Sequence, residues 1–363
     1  MKAAVFRQVG TPMEIEDVVV DEPAGNEVLL RTAATGLCHS DLHCIEGSFE
    51  VERPIVLGHE ASGIVEKVGS AVTNLEVGDH VIVFCTPGCG RCRACYSGRP
   101  TICHAPPFTR ADGQPPRLVA NGAPVGAHAG LGTFAEQMLV GENSVVKIRK
   151  DMPLDKAALI SCAVMTGIGA AAFTARVGVG DDVAVIGTGG VGLNAVQGAR
   201  LAGARRIIAI DRLQSNLQLA KKLGATHLID ATEVDPVATV LELTGDGVDH
   251  AIEAAGLART TEQAFAMLRH GGTATLIGIV PEDQPISLPG LPLLDERRLQ
   301  GSHMGSAKYQ IHLPMLVDLY LDGRLELDSL LADRIKLEDI NAGYEELARG
   351  RLARSVVVFD AVA

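Results

Sequence analysis

The chain has no tryptophan, and aromatic residues of all kinds make up only 3% of its 363 positions. It also lacks any run of lysine and arginine: 32 basic residues are dispersed among 44 acidic ones, for a formal charge of −12. That balance argues against a general affinity for nucleic acid or for an anionic membrane surface. The opening residues carry only a short apolar stretch before Arg7, which is neither a secretory signal nor a membrane span. A cytoplasmic protein without nucleic-acid or membrane partners is expected.

What is abundant is small and aliphatic. Hydrophobic residues reach 47% and glycine counts 40, a composition typical of Ala/Val/Gly-rich α/β proteins and not of disordered or fibrous ones. The length exceeds that of one ordinary core, so two domains are expected.

Short β segments at 2–6, 14–20, 28–33, 63–68 and 80–84 are separated by Gly, Pro and Asp turn signals, which predicts a β-rich first part. Residues 104–132, rich in Pro, Gly and Ala, read as a loop excursion. Near Asp181 strands and helices begin to alternate: strands at 183–186, 206–210, 227–229, 248–253 and 273–279, helices at 191–201, 214–223 and 260–268. Repeated βα units imply a parallel sheet with helices on both faces. After Ser302, helices at 309–321 and 337–349 and a strand at 355–359 are expected, the tail returning to the first domain.

Six of the eight cysteines fall where zinc would want them. Cys89, Cys92, Cys95 and Cys103 form a tight run, and Cys38 and Cys162 stand on either side of His59. In a large chain kept reduced, metal ligation explains close spacing better than disulfides do. Four thiolates complete a tetrahedral zinc and leave no position for substrate, which makes the run a structural site. A redox C-x-x-C is expected beside a βαβ unit, whereas this run lies in the β-rich half.

The second set is Cys38 in Gly36-Leu37-Cys38-His39-Ser40-Asp41, His59 in Gly58-His59-Glu60, and Cys162. Singly each is ordinary, since a Cys with apolar flanks is usually core and a lone His usually packs or caps. Together they form the Cys-His-Cys ligand set of an open catalytic zinc, with a fourth position for an alcohol oxygen. Asp41 is suitably placed in sequence to orient His59.

The segment Gly187-Thr188-Gly189-Gly190-Val191-Gly192 lies between a buried strand and a helix, the context in which such glycines admit a pyrophosphate to a helix N-terminus. Asp211 ends the next strand, where its carboxylate can accept hydrogen bonds from the adenosine ribose. It would repel the extra phosphate of NADP, so NAD is favoured. Adjacent Arg212 softens that preference.

Taken together, these motifs resemble the zinc-dependent medium-chain alcohol dehydrogenases nearly end to end, in the long-loop dimeric alcohol dehydrogenase and formaldehyde dehydrogenase branch. The resemblance implies an α/β plus β fold. Residues 1–162 and 305–363 would form a GroES-like β-rich catalytic domain with a structural zinc lobe at 85–103. An inserted Rossmann domain, 163–304, with a doubly wound parallel sheet, would bind NAD. It further implies that Cys38, His59 and Cys162 hold catalytic zinc, with Glu60 as an alternate ligand. Ser40 and His43 match the proton relay, and His39 and Arg354 match contacts to the cofactor pyrophosphate. Cys85, His128, Ile279 and Val280 match substrate-pocket positions, and the long loop implies a homodimer.

The activity so implied is NAD-dependent oxidation of primary alcohols to aldehydes, and the reverse. Zinc lowers the pKa of bound water from about 15.7 to about 7, and an alcohol of similar acidity benefits comparably. Cys85 stands where relatives often carry an aromatic residue, which leaves room for medium-chain or aromatic alcohols. Cys162 disfavours a polyol dehydrogenase, which usually has Glu there. The alternative is a glutathione-dependent formaldehyde dehydrogenase. Its anion-binding arginine is replaced here by His104-Ala105-Pro106-Pro107, and Arg110 is the nearest candidate. A further alternative is an NAD-binding protein of the same fold without catalytic activity.

Overall fold

A computed structural model of the chain describes residues 1–105, 110, 113–350 and 354–359. Two compact units emerge: Met1–Cys162 together with the tail from Lys308, and Ala163–Ala307.

The first unit is β-rich because its strands alternate or saturate with apolar residues between turn formers. Among the described residues one sheet runs, in spatial order, Ala123–Pro124, Leu118–Ala120, Glu14–Val20, Lys2–Phe6, Ile55–Val56 and Gly126–Ala127. A second runs Val145–Lys147, His80–Val83, Ala61–Val68, Glu27–Gly36, Arg354–Val358 and Leu331–Ile335, with Gln137–Gly141 also paired to Glu27–Gly36. Nine of the ten residues of Glu27–Gly36 are buried, as a strand covered on both faces requires. One end of this strand leads through Leu37 to the helix His39–Glu46.

Of the predicted loop excursion at 104–132, positions 106–109, 111 and 112 lie outside the described residues. The remainder is not all loop, since it holds three of the strands above, each of two or three residues. Strands that short carry too few alternations to be read from pattern.

The second unit holds a six-stranded parallel sheet among its described residues. Its order is His227–Asp230, Arg206–Asp211, Asp182–Ile186, Val248–Glu253, Leu268–Leu276 and Arg298–Gly301. Numbered along the chain this is 3-2-1-4-5-6, the doubly wound order, with its switch point between Asp182–Ile186 and Val248–Glu253. Helices Gly190–Ala202, Gln214–Leu223, Pro236–Thr244 and Ala258–Ala266 supply four of the five crossovers. Two elements of this sheet and its crossovers escaped the sequence reading, as the strands Ile55–Val56, Gln137–Gly141, Val145–Lys147 and Leu331–Ile335 did in the first unit. Pro236–Thr244 carried a signal, Asp235 capping Ala238 N at 2.8 Å with proline at the first helical position. Arg298–Gly301 did not, because a polar four-residue edge strand has no apolar period.

A further missed element is the helical run Leu154–Ala175. It is apolar on every side and long enough to cross a membrane, yet most of it is buried inside the protein. A π-helical turn, Ile160–Val164, interrupts it and contains Cys162, and a second, Ala170–Ala175, ends it. Such bulges re-aim side chains and occur often at functional sites.

Candidate active site

Cys38 precedes the helix His39–Glu46, His59 follows the turn at Gly58, and Cys162 projects from the π-turn. Their ligand atoms converge: Cys38 Sγ lies 4.0 Å from Cys162 Sγ, which lies 3.5 Å from His59 Nε2. All three residues are buried. Two zinc–sulfur bonds of about 2.3 Å at a tetrahedral angle separate their sulfurs by about 3.8 Å, and a sulfur from a nitrogen by about 3.6 Å. The trio therefore fits zinc. The thiols already differ: the hydrogen bond with Cys162 holds Cys38 well below the usual thiol range, and the same contact pushes Cys162 well above it.

Asp41 occupies the first turn of that helix and is wholly buried. Its Oδ2 lies 3.1 Å from His59 Nδ1, a charge contact without the alignment of a good hydrogen bond. Its Oδ1 accepts from Gly58 N at 3.0 Å and lies 2.9 Å from His128 Nδ1. Burial alone would raise the Asp41 carboxyl, but the two histidines outweigh it and hold its pKa at about 2. The His128 ring also stands edge-on to His59, with centroids 5.6 Å apart.

Ser40 Oγ lies 3.7 Å from Cys38 Sγ. His43, one turn on, packs edge-on against Phe49 and is partly exposed, while His39 is exposed at the helix start. Glu60 Oε2 accepts a 2.8 Å hydrogen bond from Arg354, whose guanidinium also donates to Leu37 O at 3.2 Å. Both residues are buried, so in this structure Arg354 is engaged with Glu60. Burial raises the Glu60 carboxyl to about 7 against the opposing pull of Arg354. Cys85 is partly buried against the core of the second β sheet, and burial raises its thiol. Cys44 is core, its thiol pushed up to about 11 by burial.

The four lobe cysteines bring their sulfurs within 4.8 Å of one another. Cys92 Sγ lies 3.6 Å from Cys95 Sγ and 3.7 Å from Cys103 Sγ, close to the tetrahedral spacing above. The Arg91 backbone N–H and neighbouring thiols hold Cys89 at about 6, which favours thiolate. This cluster also fits zinc.

In the second unit Gly187 leaves the strand Asp182–Ile186 with φ +83°, and Gly189 caps the helix Gly190–Ala202. A Cβ on Gly192 would lie 1.9 Å from Gly187 O, so only glycine lets this helix approach the turn. Asp211 Oδ2 accepts from Thr188 N at 2.6 Å and Thr188 Oγ1 at 3.0 Å, tying the acid to the glycine turn. Arg212 and Ile279 are exposed, and Val280 is partly so.

Residues 190–319 match the zinc-binding dehydrogenase family model, and residues 24–150 match the alcohol dehydrogenase GroES-like domain. The chain is 39% identical over 368 residues to the NDMA-dependent alcohol dehydrogenase of Amycolatopsis methanolica, an alignment covering 99% of each. It belongs to the zinc-dependent medium-chain alcohol dehydrogenases. The S-(hydroxymethyl)glutathione dehydrogenase of a Synechocystis strain is 38% identical over 364 residues, covering 98% of this chain and 99% of that one. The crystal structure of benzyl alcohol dehydrogenase from Acinetobacter calcoaceticus superimposes with a TM-score of 0.93 at 33% identity, covering 99% of each chain.

This dehydrogenase is thus an oxidoreductase with a GroES-like and a Rossmann part, and its cofactors are zinc and a nicotinamide nucleotide. One expectation needs correction. Arg110, the candidate contact for an anionic thiol adduct, is spent inside the protein: its Nη2 bonds Glu27 at 2.6 Å and its Nη1 bonds Asp21 at 2.5 Å. Its Nε also donates to Glu27 at 3.0 Å, and the carbonyls of Pro115 and Glu22 take the remaining donors of Nη1 and Nη2. Sequence reasoning also missed the tie between His128 and Asp41, which no spacing rule connects across 87 positions.

Proposed function

We propose that this dehydrogenase oxidises primary alcohols to aldehydes, and runs the reverse, with NAD as hydride acceptor. The observation that carries the reading is the buried convergence of Cys38, Cys162 and His59, a three-member cluster of two thiols and one imidazole. Zinc held by these three supplies an electrophile that makes an alcohol oxygen more acidic. Asp41 fixes the His59 ring, so that Nε2 faces the sulfurs. Ser40 takes up the alcohol proton, and His43, three residues along the same helix and partly exposed, passes it to solvent. Glu60 stands by as an alternate ligand. His39 and Arg354 serve the cofactor pyrophosphate once Arg354 exchanges Glu60 for phosphate.

Gly187, Gly189, Gly190, Val191 and Gly192 receive the pyrophosphate, and Asp211 favours NAD over NADP. Cys85 and His128, with Ile279 and Val280, border the substrate. The small Cys85 side chain suits medium-chain or aromatic alcohols, in keeping with the benzyl alcohol dehydrogenase relative. A homodimer is supported by the edge strand Arg298–Gly301, paired on one side only among the described residues, and by Leu291, Leu293 and Leu294, which are 76%, 50% and 81% exposed nearby in sequence. A cytoplasmic location completes the reading.

Initial rates with NAD and with NADP decide the matter, on protein of verified zinc content, across short, long-chain and aromatic primary alcohols and with formaldehyde with and without glutathione. Turnover of free alcohols with NAD supports the proposal. Turnover confined to the glutathione adduct replaces it with the alternative that the Synechocystis relative represents. Bound NAD without turnover on any substrate identifies a non-catalytic protein.

A further inference from the structure

Glu253 ends the strand Val248–Glu253 with its side chain wholly buried, beside the switch point of the parallel sheet. In doubly wound sheets ligands bind outside the carboxyl ends of the strands at that point. A single carboxylate oxygen, Oε1, gathers three donors: Ala255 N at 2.9 Å, Gly256 N at 2.8 Å and Thr260 Oγ1 at 2.7 Å. The segment so held is pinned to the strand end that leads into the glycine turn, because Ala254 N donates to Ile186 O at 2.8 Å. The approach is close: a Cβ on Gly187 would lie 2.7 Å from Ala255 N.

The other flank is tied to the same residue. Ile277 N and Gly278 N donate to the Glu253 carbonyl at 2.9 and 3.0 Å. Oε2 has no hydrogen-bond partner among the described residues and backs onto Gly278, where an added Cβ would lie 2.6 Å away. Burying a carboxylate oxygen without a partner is costly. An isosteric apolar residue would avoid that cost but could not collect three donors.

We propose that Glu253 is a positioning residue for the nicotinamide dinucleotide. Its carboxylate and carbonyl join residues 254–260 and 277–278 and hold both against the turn 187–192. The surface that receives the cofactor is thereby set before the cofactor arrives, and little ordering cost remains for binding. The inference rests on reading 187–192 as the dinucleotide site.

The test compares the unaltered full chain with Glu253→Gln, Glu253→Ala and Thr260→Val. For each, NAD affinity is measured by titration calorimetry, zinc content and Tm are recorded, and KM for NAD is set against KM for alcohol. The amide oxygen of Glu253→Gln keeps the three donors, so its Kd for NAD stays within about twofold of the unaltered chain. Glu253→Ala leaves the buried Gly256 N–H, and with it the Ala255 N–H and the Thr260 hydroxyl, without their shared acceptor and weakens NAD about tenfold or more, with zinc content and KM for alcohol unchanged. Thr260→Val removes one donor and weakens NAD by about two- to fivefold.

A folded Glu253→Ala with unaltered NAD affinity overturns the proposal, as does a loss that Glu253→Gln fails to rescue. If Glu253→Ala does not fold, an unchanged Kd in Thr260→Val overturns it. Failure of the unaltered chain to bind NAD or NADP sinks the dinucleotide reading itself, and the role of Glu253 with it.

Discussion

His128 Nδ1 lies 2.9 Å from Asp41 Oδ1, so one buried carboxylate serves two histidines, His59 and His128. Asp41 can hold the His59 ring only as firmly as Asp41 itself is held, and Gly58 N is its other partner on Oδ1. Replacing His128 with Phe keeps a ring beside His59 and removes the donor. Partners of this kind typically change metal affinity by about 10- to 100-fold when lost. His128→Phe should release zinc from the Cys38, His59, Cys162 site faster to a competing chelator, with lobe zinc retained. An unchanged release rate would show that Gly58 N alone secures Asp41.

Ser40 is the hydroxyl adjacent to the same site. If it accepts the alcohol proton, Ser40→Ala should lose about 100-fold or more in kcat while both zincs remain bound. Its 3.7 Å contact with Cys38 Sγ is one weak sulfur hydrogen bond, so losing it should leave the zinc in place. Normal turnover in the variant would rule out the relay.

The lobe should behave differently, because a closed four-sulfur site contributes stability and no chemistry. Cys92 lies 3.6 and 3.7 Å from two of its three partners. Cys92→Ser should lower zinc from two to about one per chain and lower Tm. Both quantities unchanged would remove the structural-zinc assignment.

How much of this was readable in advance depends on how far apart in sequence the partners lie. The lobe cysteines sit within one short stretch, and the glycine turn with its acid within one βαβ unit, so local spacing carries both. The doubly wound class followed from alternating strand and helix periods, yet its polar edge strand Arg298–Gly301 did not. Cys38, His59 and Cys162 are gathered by ligand chemistry, as the Cys-His-Cys set of an open zinc, and not by periodicity. The helix that presents Cys162 is apolar all round, and its π-turn depends on tertiary packing. His128 with Asp41 and Arg354 with Glu60 are separated by 87 and 294 positions, and a single sequence contains nothing that pairs them.

Acid should weaken the second unit at a definite place. Burial would raise the Asp249 carboxyl, but the Asp182 backbone N–H at 2.8 Å and the Arg269 guanidinium lower it further, for a net depression below 3.8. A depressed folded pKa adds stability above the unfolded value, and that stability is lost as pH falls through the folded one. Asp249→Asn should therefore cost about 1 to 2 kcal/mol at neutral pH, and that cost should shrink as pH falls through the depressed folded pKa. Chemical denaturation at neutral pH and in acid checks it. An equal loss at each pH would assign the effect to packing instead of charge.

Arg110 offers the sharpest separation between structural and substrate roles. Its side chain is 8% exposed, and it faces Glu27, which is fully buried, and Asp21. Removing one partner of a buried pair leaves the other charge uncompensated, at about 3 to 5 kcal/mol. Arg110→Ala should thus lower Tm by many degrees, whereas Arg110→Lys, keeping a charge but not the planar fork, should recover only part of the loss. Neither variant should change the ratio of kcat/KM for the glutathione adduct of formaldehyde to that for a free alcohol, because no donor of Arg110 is left for a substrate. A selective collapse of adduct turnover in Arg110→Lys, with Tm largely kept, would show that the guanidinium leaves Glu27 to meet an anion.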